Sequence, residues 1–217
     1  MRVASIDIGT NSSRLLIVNY KNNRYQVLKR MLETTRLGEG VDEKKILKPA
    51  AISRVIKAVD KFQKEINKYK VEQVKIIGTS ALRDVDNSNI LKEKIKDITG
   101  NELNIIEGIE EAELIYKGVS IDLSFDDFVI IDIGGGSTEI IWQDKNNIQY
   151  RSINVGAVRM TERYIANPNY CLKPKESHNI SEKVFQLLQQ KLPDNLKQKK
   201  MVGVGGTITT LGAINLG

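Results

Sequence analysis

Asp7-Ile8-Gly9-Thr10-Asn11-Ser12-Ser13-Arg14 returns 125 positions later as Asp132-Ile133-Gly134-Gly135-Gly136-Ser137-Thr138-Glu139. Each copy follows an apolar run, Val3 to Ile6 and Phe128 to Ile131, and leads into another, Leu15 to Val18 and Ile140 to Trp142. Apolar runs on either side of a Gly/Asn/Ser turn read as strand, tight turn, strand. Glycine in such a turn admits left-handed backbone, so N–H groups can converge on an anion; Ser, Thr and Asn side chains add donors, and the preceding Asp can hold a metal ion or water. One Asp-x-Gly-x-x-Ser turn fits any hairpin. Two in the same strand context, each reaching a Lys-Asn-Asn turn (Lys21 to Asn23, Lys145 to Asn147), predict a duplicated, two-lobed phosphate clamp. Its candidate donors are Thr10, Asn11 and Ser12 in the first turn and Gly134, Gly135, Gly136 and Ser137 in the second.

Outward from the first hairpin, Tyr25 to Lys29 reads as a third strand. Pro49 then starts a helix with Ile52, Val55, Ile56, Val59, Phe62 and Ile66 along one face. Gln73 to Ile77 is a short strand, followed by Gly78-Thr79-Ser80-Ala81-Leu82-Arg83-Asp84 at its C-terminal end, where open α/β sheets place ligand groups. That position makes Thr79, Ser80 and Arg83 site candidates; Arg83 offers a planar bidentate donor for phosphate, against the plainer alternative of an ion pair with Asp84 or Asp86. Asn87 to Ile98 reads as helix, Glu102 to Ile106 as strand, Glu110 to Val119 as helix. The division between lobes is expected near Ser120 to Ser124, giving residues 1–121 and 122–217. The second lobe adds a strand at Gln149 to Ile153 and helices at Gly156 to Tyr164 and Lys175 to Leu192. Met201 to Val204 is a strand running into Gly205-Gly206-Thr207, with a helix from Ile208. A glycine pair between strand and helix is either a phosphate cradle or a tight connection. The chain reaches Gly217 around the end of that helix, so the second lobe is expected to be incomplete.

The 217 residues are 41% apolar and 28% charged, as in a globular α/β chain. The single cysteine, Cys171, excludes an internal disulfide and reads as structural; no charged-then-apolar leader opens the chain, and the cytoplasm is the expected compartment. No stretch reads as a membrane span. A formal charge of +6 and a pI near 9.2 favour acidic partners. Zinc spacings, a Gly-x-x-x-x-Gly-Lys-Ser/Thr loop and an aromatic RNA platform are all absent from the sequence, which leaves nucleic acid a minor alternative. His178, the only histidine, falls in a polar stretch after Pro174 and is expected on the surface.

Seven collinear motifs now coincide: Asp7-Ile-Gly-Thr-Asn-Ser, Arg36-Leu-Gly-Glu-Gly, Thr79-Ser-Ala-Leu-Arg-Asp, Gly108-Ile-Glu-Glu-Ala, Asp132-Ile-Gly-Gly-Gly-Ser-Thr-Glu, Gly156-Ala-Val-Arg and Gly205-Gly-Thr. Together they resemble the exopolyphosphatase/guanosine-pentaphosphatase family, over essentially the whole chain. The hairpins alone would fit the wider superfamily of actin, sugar kinases and heat-shock chaperone ATPases. The resemblance implies two ribonuclease-H-like, actin-like ATPase lobes with mixed sheets flanked by helices around a central cleft. It also implies hydrolysis of a terminal phosphate from polyphosphate or guanosine pentaphosphate, with a divalent metal.

Glu111 stands where the family has its catalytic Glu in Gly-x-x-Glu-Glu-Ala, and the resemblance makes it the base; Glu110, about 100° away around the helix, is the competing choice. Asp132 and Glu139 lie on the two strands of the second hairpin, where a tight turn can bring them together around a hard cation, with Mg²⁺ the expected ion. Asp7 is a third candidate ligand, although the first copy has Arg14 where the second has Glu139. The first copy therefore reads as mainly anion-holding and the second as mainly metal-holding, with Gly205, Gly206 and Thr207 as further phosphate contacts. Two other readings stay open: a small-molecule kinase or ATPase of the same superfamily, and a non-catalytic sensor of a phosphorylated alarmone. A homodimer is compatible with all of them.

Overall fold

The computed structural model describes all residues except 23, 122–127, 146, 166–170, 195, 197, 198 and 217. The chain divides into two compact units, Met1–Ile106 and Glu107–Gly217. In the first, β1 (Arg2–Ile8), β2 (Ser12–Lys21) and β3 (Arg24–Thr34) form an antiparallel meander, and β4 (Gln73–Gly78) and β5 (Leu103–Ile105) add in parallel, in the order β3-β2-β1-β4-β5. The third strand is much longer than Tyr25 to Lys29, because it pairs along β2 from Lys21 to Ser12 with a bulge at Ile17/Val18.

Alternation along β1 and β2 sends Ala4, Ile6, Ile8, Leu15 and Ile17 to one face of this sheet. There they meet Val55, Val59, Phe62 and Ile66 of α2 (Pro49–Lys68) and Leu91 and Ile95 of α4 (Ser88–Thr99). Pro at the first helical position costs α2 nothing, since that N–H has no partner within a helix. Two single-turn helices escaped the sequence reading: α1 (Val41–Lys44) and α3 (Ser80–Arg83), too short for any periodicity to show.

The second unit repeats the plan. β6 (Phe128–Ile133), β7 (Thr138–Asp144) and β8 (Asn147–Ile153) form the meander, and β9 (Lys200–Val204) runs parallel to β6, in the order β8-β7-β6-β9. Both of its faces are covered. Val129, Ile140, Trp142 and Ile153 pack with Met160 of α6 (Ala157–Tyr164) and with Val184, Leu187 and Leu188 of α7 (Pro174–Gln189). Ile130 and Ile141, of opposite parity, pack under Ala112, Ile115, Tyr116 and Val119 of α5 (Gly108–Val119). This packing is why the compact units divide at 106/107, whereas the expected division was at 121/122; most of the expected boundary segment, Ser120 to Ser124, lies outside the described residues.

α8 (Gly205–Leu216) starts at Gly205 and not at Ile208, so the glycine pair forms its first turn. His178 is exposed beside Glu182, but within α7, and Cys171 is exposed too, which removes its expected structural role. Among the described residues no helix is long and apolar enough to cross a membrane.

Candidate active site

The two sequence repeats close their turns with the same backbone hydrogen bond. Gly9 N–H donates to Ser12 O at 3.0 Å, and Gly134 N–H to Ser137 O at 2.9 Å. In each unit a following segment then grips the outer carbonyls of the turn. Thr35 and Arg36 donate to Asn11 O at 3.0 and 2.8 Å, and Gly38 to Thr10 O at 2.8 Å. In the second unit Ala157 donates to Gly134 O at 3.0 Å, while Val158 and Arg159 donate to Gly135 O at 2.9 and 3.0 Å. The buried Arg159 adds Nε to Gly136 O at 2.6 Å. A trans peptide points its C=O and the next N–H in opposite directions. Carbonyls held against the body thus turn the N–H groups of Asn11 and Ser12, and of Gly135, Gly136 and Ser137, away from these supports.

Thr10 and Ser137 are buried and Asn11 is exposed. Ser13 shares a 3.3 Å hydrogen bond with Thr35, and Thr138 Oγ1 donates to Val155 O at 2.5 Å, so both hydroxyls brace the hairpins. Gly156 leaves no room for a side chain: a Cβ there would come within 2.5 Å of the Gly135–Gly136 peptide.

Asp132 and Glu139 are cross-strand partners and therefore share a sheet face, the face that α5 covers. Glu139 is 1% exposed and accepts a hydrogen bond from Ser152 Oγ at 2.7 Å. Asp132 is flanked on its other side by β9, at Val204; the next residue, Gly205, has φ +81°, and any Cβ on it would collide with Asp132 Oδ1. Gly205 is thus a cradle around a carboxylate as much as a helix start. Two cross-strand carboxylates on one face suit a hard divalent cation in their chemistry, since Mg²⁺ takes one or two protein carboxylates and completes its shell with phosphate and water. Among the described residues no group of three or more His, Cys, Asp or Glu is gathered. Asp7 lies across from Arg14 on the first hairpin, in a groove with Ser5, Leu16, Arg30 and Leu32.

Glu110 and Glu111 occupy the first turn of α5. Glu111 is half-buried, adjoining Ala112 in the packed stripe, whereas Glu110 is exposed. The structure thus carries Glu111, Asp132 and Glu139 in one unit, with α5 laid on the carboxylate face. Arg83 Nη1 donates to Ile106 O at 2.9 Å, at the end of the first unit. Gly206 and Thr207 sit in the first turn of α8, whose Thr209 and Thr210 hydroxyls bond back to Gly205 O and Gly206 O at 2.9 and 2.8 Å. The sequence reading gave no role to Glu39 or to the turn-gripping of Arg36, Gly156 and Arg159; their motifs were the signal available.

The Ppx/GppA phosphatase family model matches residues 16–216. The chain is 38% identical over 226 residues to a bifunctional 3-dehydroquinate synthase/phosphatase of Fusobacterium nucleatum, covering 95% of this chain and 33% of that one. It is 32% identical over 217 residues to a guanosine-5'-triphosphate,3'-diphosphate pyrophosphatase of Aliivibrio fischeri, covering 98% and 43%. The chain therefore spans less than half the length of these two curated relatives. A crystal structure of an exopolyphosphatase from Cytophaga hutchinsonii superposes with TM-score 0.91 at 29% identity, covering all of this chain and 70% of that one. Actin-like ATPase-fold proteins of far lower identity share the fold alone.

Proposed function

The chain belongs to the Ppx/GppA phosphatase family, and we propose that it hydrolyses phosphoanhydrides, releasing terminal phosphate from inorganic polyphosphate or guanosine pentaphosphate. The observation that carries this reading is the pair of turns whose carbonyls are tied down so that their N–H groups turn away from the body of each unit. That arrangement suits the charge-spread oxygens of a phosphate chain.

In this scheme the first turn, through Thr10, Asn11 and Ser12, and the second, through Gly134 to Ser137, bind phosphate oxygens. Gly205, Gly206 and Thr207 add donors from the N-terminus of α8. Asp132 and Glu139 would hold Mg²⁺. The ion would neutralise charge developing on the phosphate oxygens. Glu111 orients the attacking water and accepts its proton as the water oxygen bonds to the terminal phosphorus; the bridging P–O bond breaks, orthophosphate is formed, and the shortened chain leaves with the electron pair and charge that the turns stabilise. Arg83 contributes charge to phosphate binding while its Nη1 bonds to Ile106 O. A phosphate-release assay with Mg²⁺ comparing long polyphosphate, guanosine pentaphosphate and ATP, each with and without a sugar acceptor, tests the reading. Release from either of the first two without acceptor supports it. Turnover of ATP alone, and only with acceptor, overturns it in favour of a kinase.

A further inference from the structure

The motif Arg36-Leu37-Gly38-Glu39-Gly40 has no part in the chemistry above, yet its surroundings are tightly specified. It forms a strap between β3 and α1. Leu37 is fully buried and anchors it. The amides of Thr35, Arg36 and Gly38 hold the carbonyls of Asn11 and Thr10. Gly38 is pressed against the Thr10 methyl group, and Gly40, at φ +75°, passes so close under Lys48 that a Cβ would stand 2.8 Å from its Cε. Arg36 itself has φ +46°, a left-handed conformation that a residue other than glycine keeps only where its neighbours enforce it.

The enforcing group comes from α2. Arg54 Nε donates to Thr35 O at 2.6 Å, and its Nη2 reaches both Arg36 O at 3.1 Å and Glu39 Oε2 at 2.9 Å. Lys48 Nζ closes the other side on Glu39 Oε1 at 2.8 Å. One planar guanidinium therefore fixes the carbonyls of Thr35 and Arg36, the two residues whose own amides hold Asn11 O. A lysine ammonium could keep the Glu39 pair but not the fork. This resembles the second unit, where Arg159 reaches the turn directly through Gly136 O.

We propose that Arg54 is a positioning residue for the first phosphate-binding turn: together with Glu39 and Lys48 it locks the 35–40 strap, which in turn aims the Asn11 and Ser12 N–H groups at substrate. The proposal rests on the hydrolase reading for the identity of the ligand, though the latch itself is independent of turnover. It is tested with R54A, R54K and K61A; Lys61 pairs with Glu33 at 3.0 Å from the same helix without touching the strap. Four quantities are read in each: Kd for inorganic polyphosphate by calorimetry, kcat and KM for phosphate release, exchange of the Thr35, Arg36 and Gly38 amides, and the urea midpoint.

R54A is expected to weaken polyphosphate binding and raise KM about tenfold, with kcat within about twofold, because ordinary binding and not barrier stabilisation is lost. The three strap amides should exchange at least about tenfold faster while core amides of β1 and α2 keep their protection. R54K should remain at least about threefold weak in binding, and K61A should match wild type throughout. Wild-type strap exchange in R54A overturns the proposal, as does faster exchange with unchanged Kd. Full recovery by R54K overturns it by assigning the effect to charge alone, and core amides loosening in step with the strap reduce Arg54 to a folding contact. Wild-type binding without phosphate release counts against the hydrolase reading and leaves the latch judged by Kd and exchange. A wild-type chain that does not bind polyphosphate at all overturns the proposal.

Discussion

Gly205 is held to glycine by two separate constraints, its left-handed φ of +81° and the Asp132 carboxylate where a Cβ would go. Gly205→Ala is expected to cost about 1–2 kcal/mol of stability from backbone strain, and to displace Asp132 as well. Thermal unfolding should therefore fall by several degrees, and the variant should need more Mg²⁺ for phosphate release; an unaltered Mg²⁺ requirement would detach the cradle from metal binding. At the neighbouring carboxylates, Glu111 and Glu110 point about 100° apart on α5, and only Glu111 adjoins the packed stripe. Glu111→Gln keeps the shape and removes the basicity, so kcat should fall about 10²–10⁴-fold with binding preserved. Glu110→Gln should stay near wild type. If the Glu110 variant is the inactive one, the base is misassigned by one residue; if neither loses more than a few-fold, a metal-bound nucleophile becomes the better mechanism.

α6 does for the second turn what the strap does for the first, but from inside the protein. Arg159 is 6% exposed, and its Nε bond to Gly136 O cannot be replaced by water without opening the site. Arg159→Met keeps much of the volume and leaves that carbonyl unsatisfied, at about 1–3 kcal/mol. Urea unfolding should show this, while Thr161→Ala, a half-buried position on the same helix whose hydroxyl bonds back to Ala157 O at 2.8 Å, should change stability by no more than about 0.5 kcal/mol. On the strap, the Lys48 ammonium, and after it the Arg54 guanidinium, hold the Glu39 carboxyl below its ordinary value. A depressed carboxylate pKa contributes stability above the unfolded value and loses it as pH falls through the folded one. Strap amides should accordingly exchange faster in acid, relative to the intrinsic rate, and show no such loss towards mild alkali; protection insensitive to acid would leave the ion pairs without a role. The meanders, the core helices and the cross-hairpin pair Asp132–Glu139 were readable from alternation and spacing, because those patterns are local. The strap and α6 contacts were not, since they are carbonyl-to-amide bonds between segments 23 or more residues apart that leave only Gly-containing motifs as a trace.

The two units share one sheet plan and one turn geometry, yet the residue opposite the aspartate differs: Arg14 faces Asp7, while Glu139 faces Asp132. Two carboxylates on one sheet face, one of them 1% exposed, carry like charges that a divalent ion would relieve. The assignment of α5 to the second unit places the expected base in the same unit as the charge-rich hairpin, a point that helix periodicity did not convey, because it shows that a helix buries one face but not which sheet receives it. Loss of function should therefore separate by unit. Glu139→Gln retains an acceptor for Ser152 and removes a buried charge, so the fold should be no less stable in urea; the Mg²⁺ concentration for half-maximal release should rise at least about tenfold. KM for polyphosphate at saturating Mg²⁺ should change little. Asn11→Ala, in the first turn, should do the reverse, raising KM a few-fold with the Mg²⁺ requirement unmoved. The measurement is phosphate release over a grid of Mg²⁺ and polyphosphate concentrations for the two variants and wild type. Should both variants shift both parameters together, the turns act as one site and the division of labour is wrong; should Glu139→Gln leave the Mg²⁺ requirement where it was, the metal is held elsewhere.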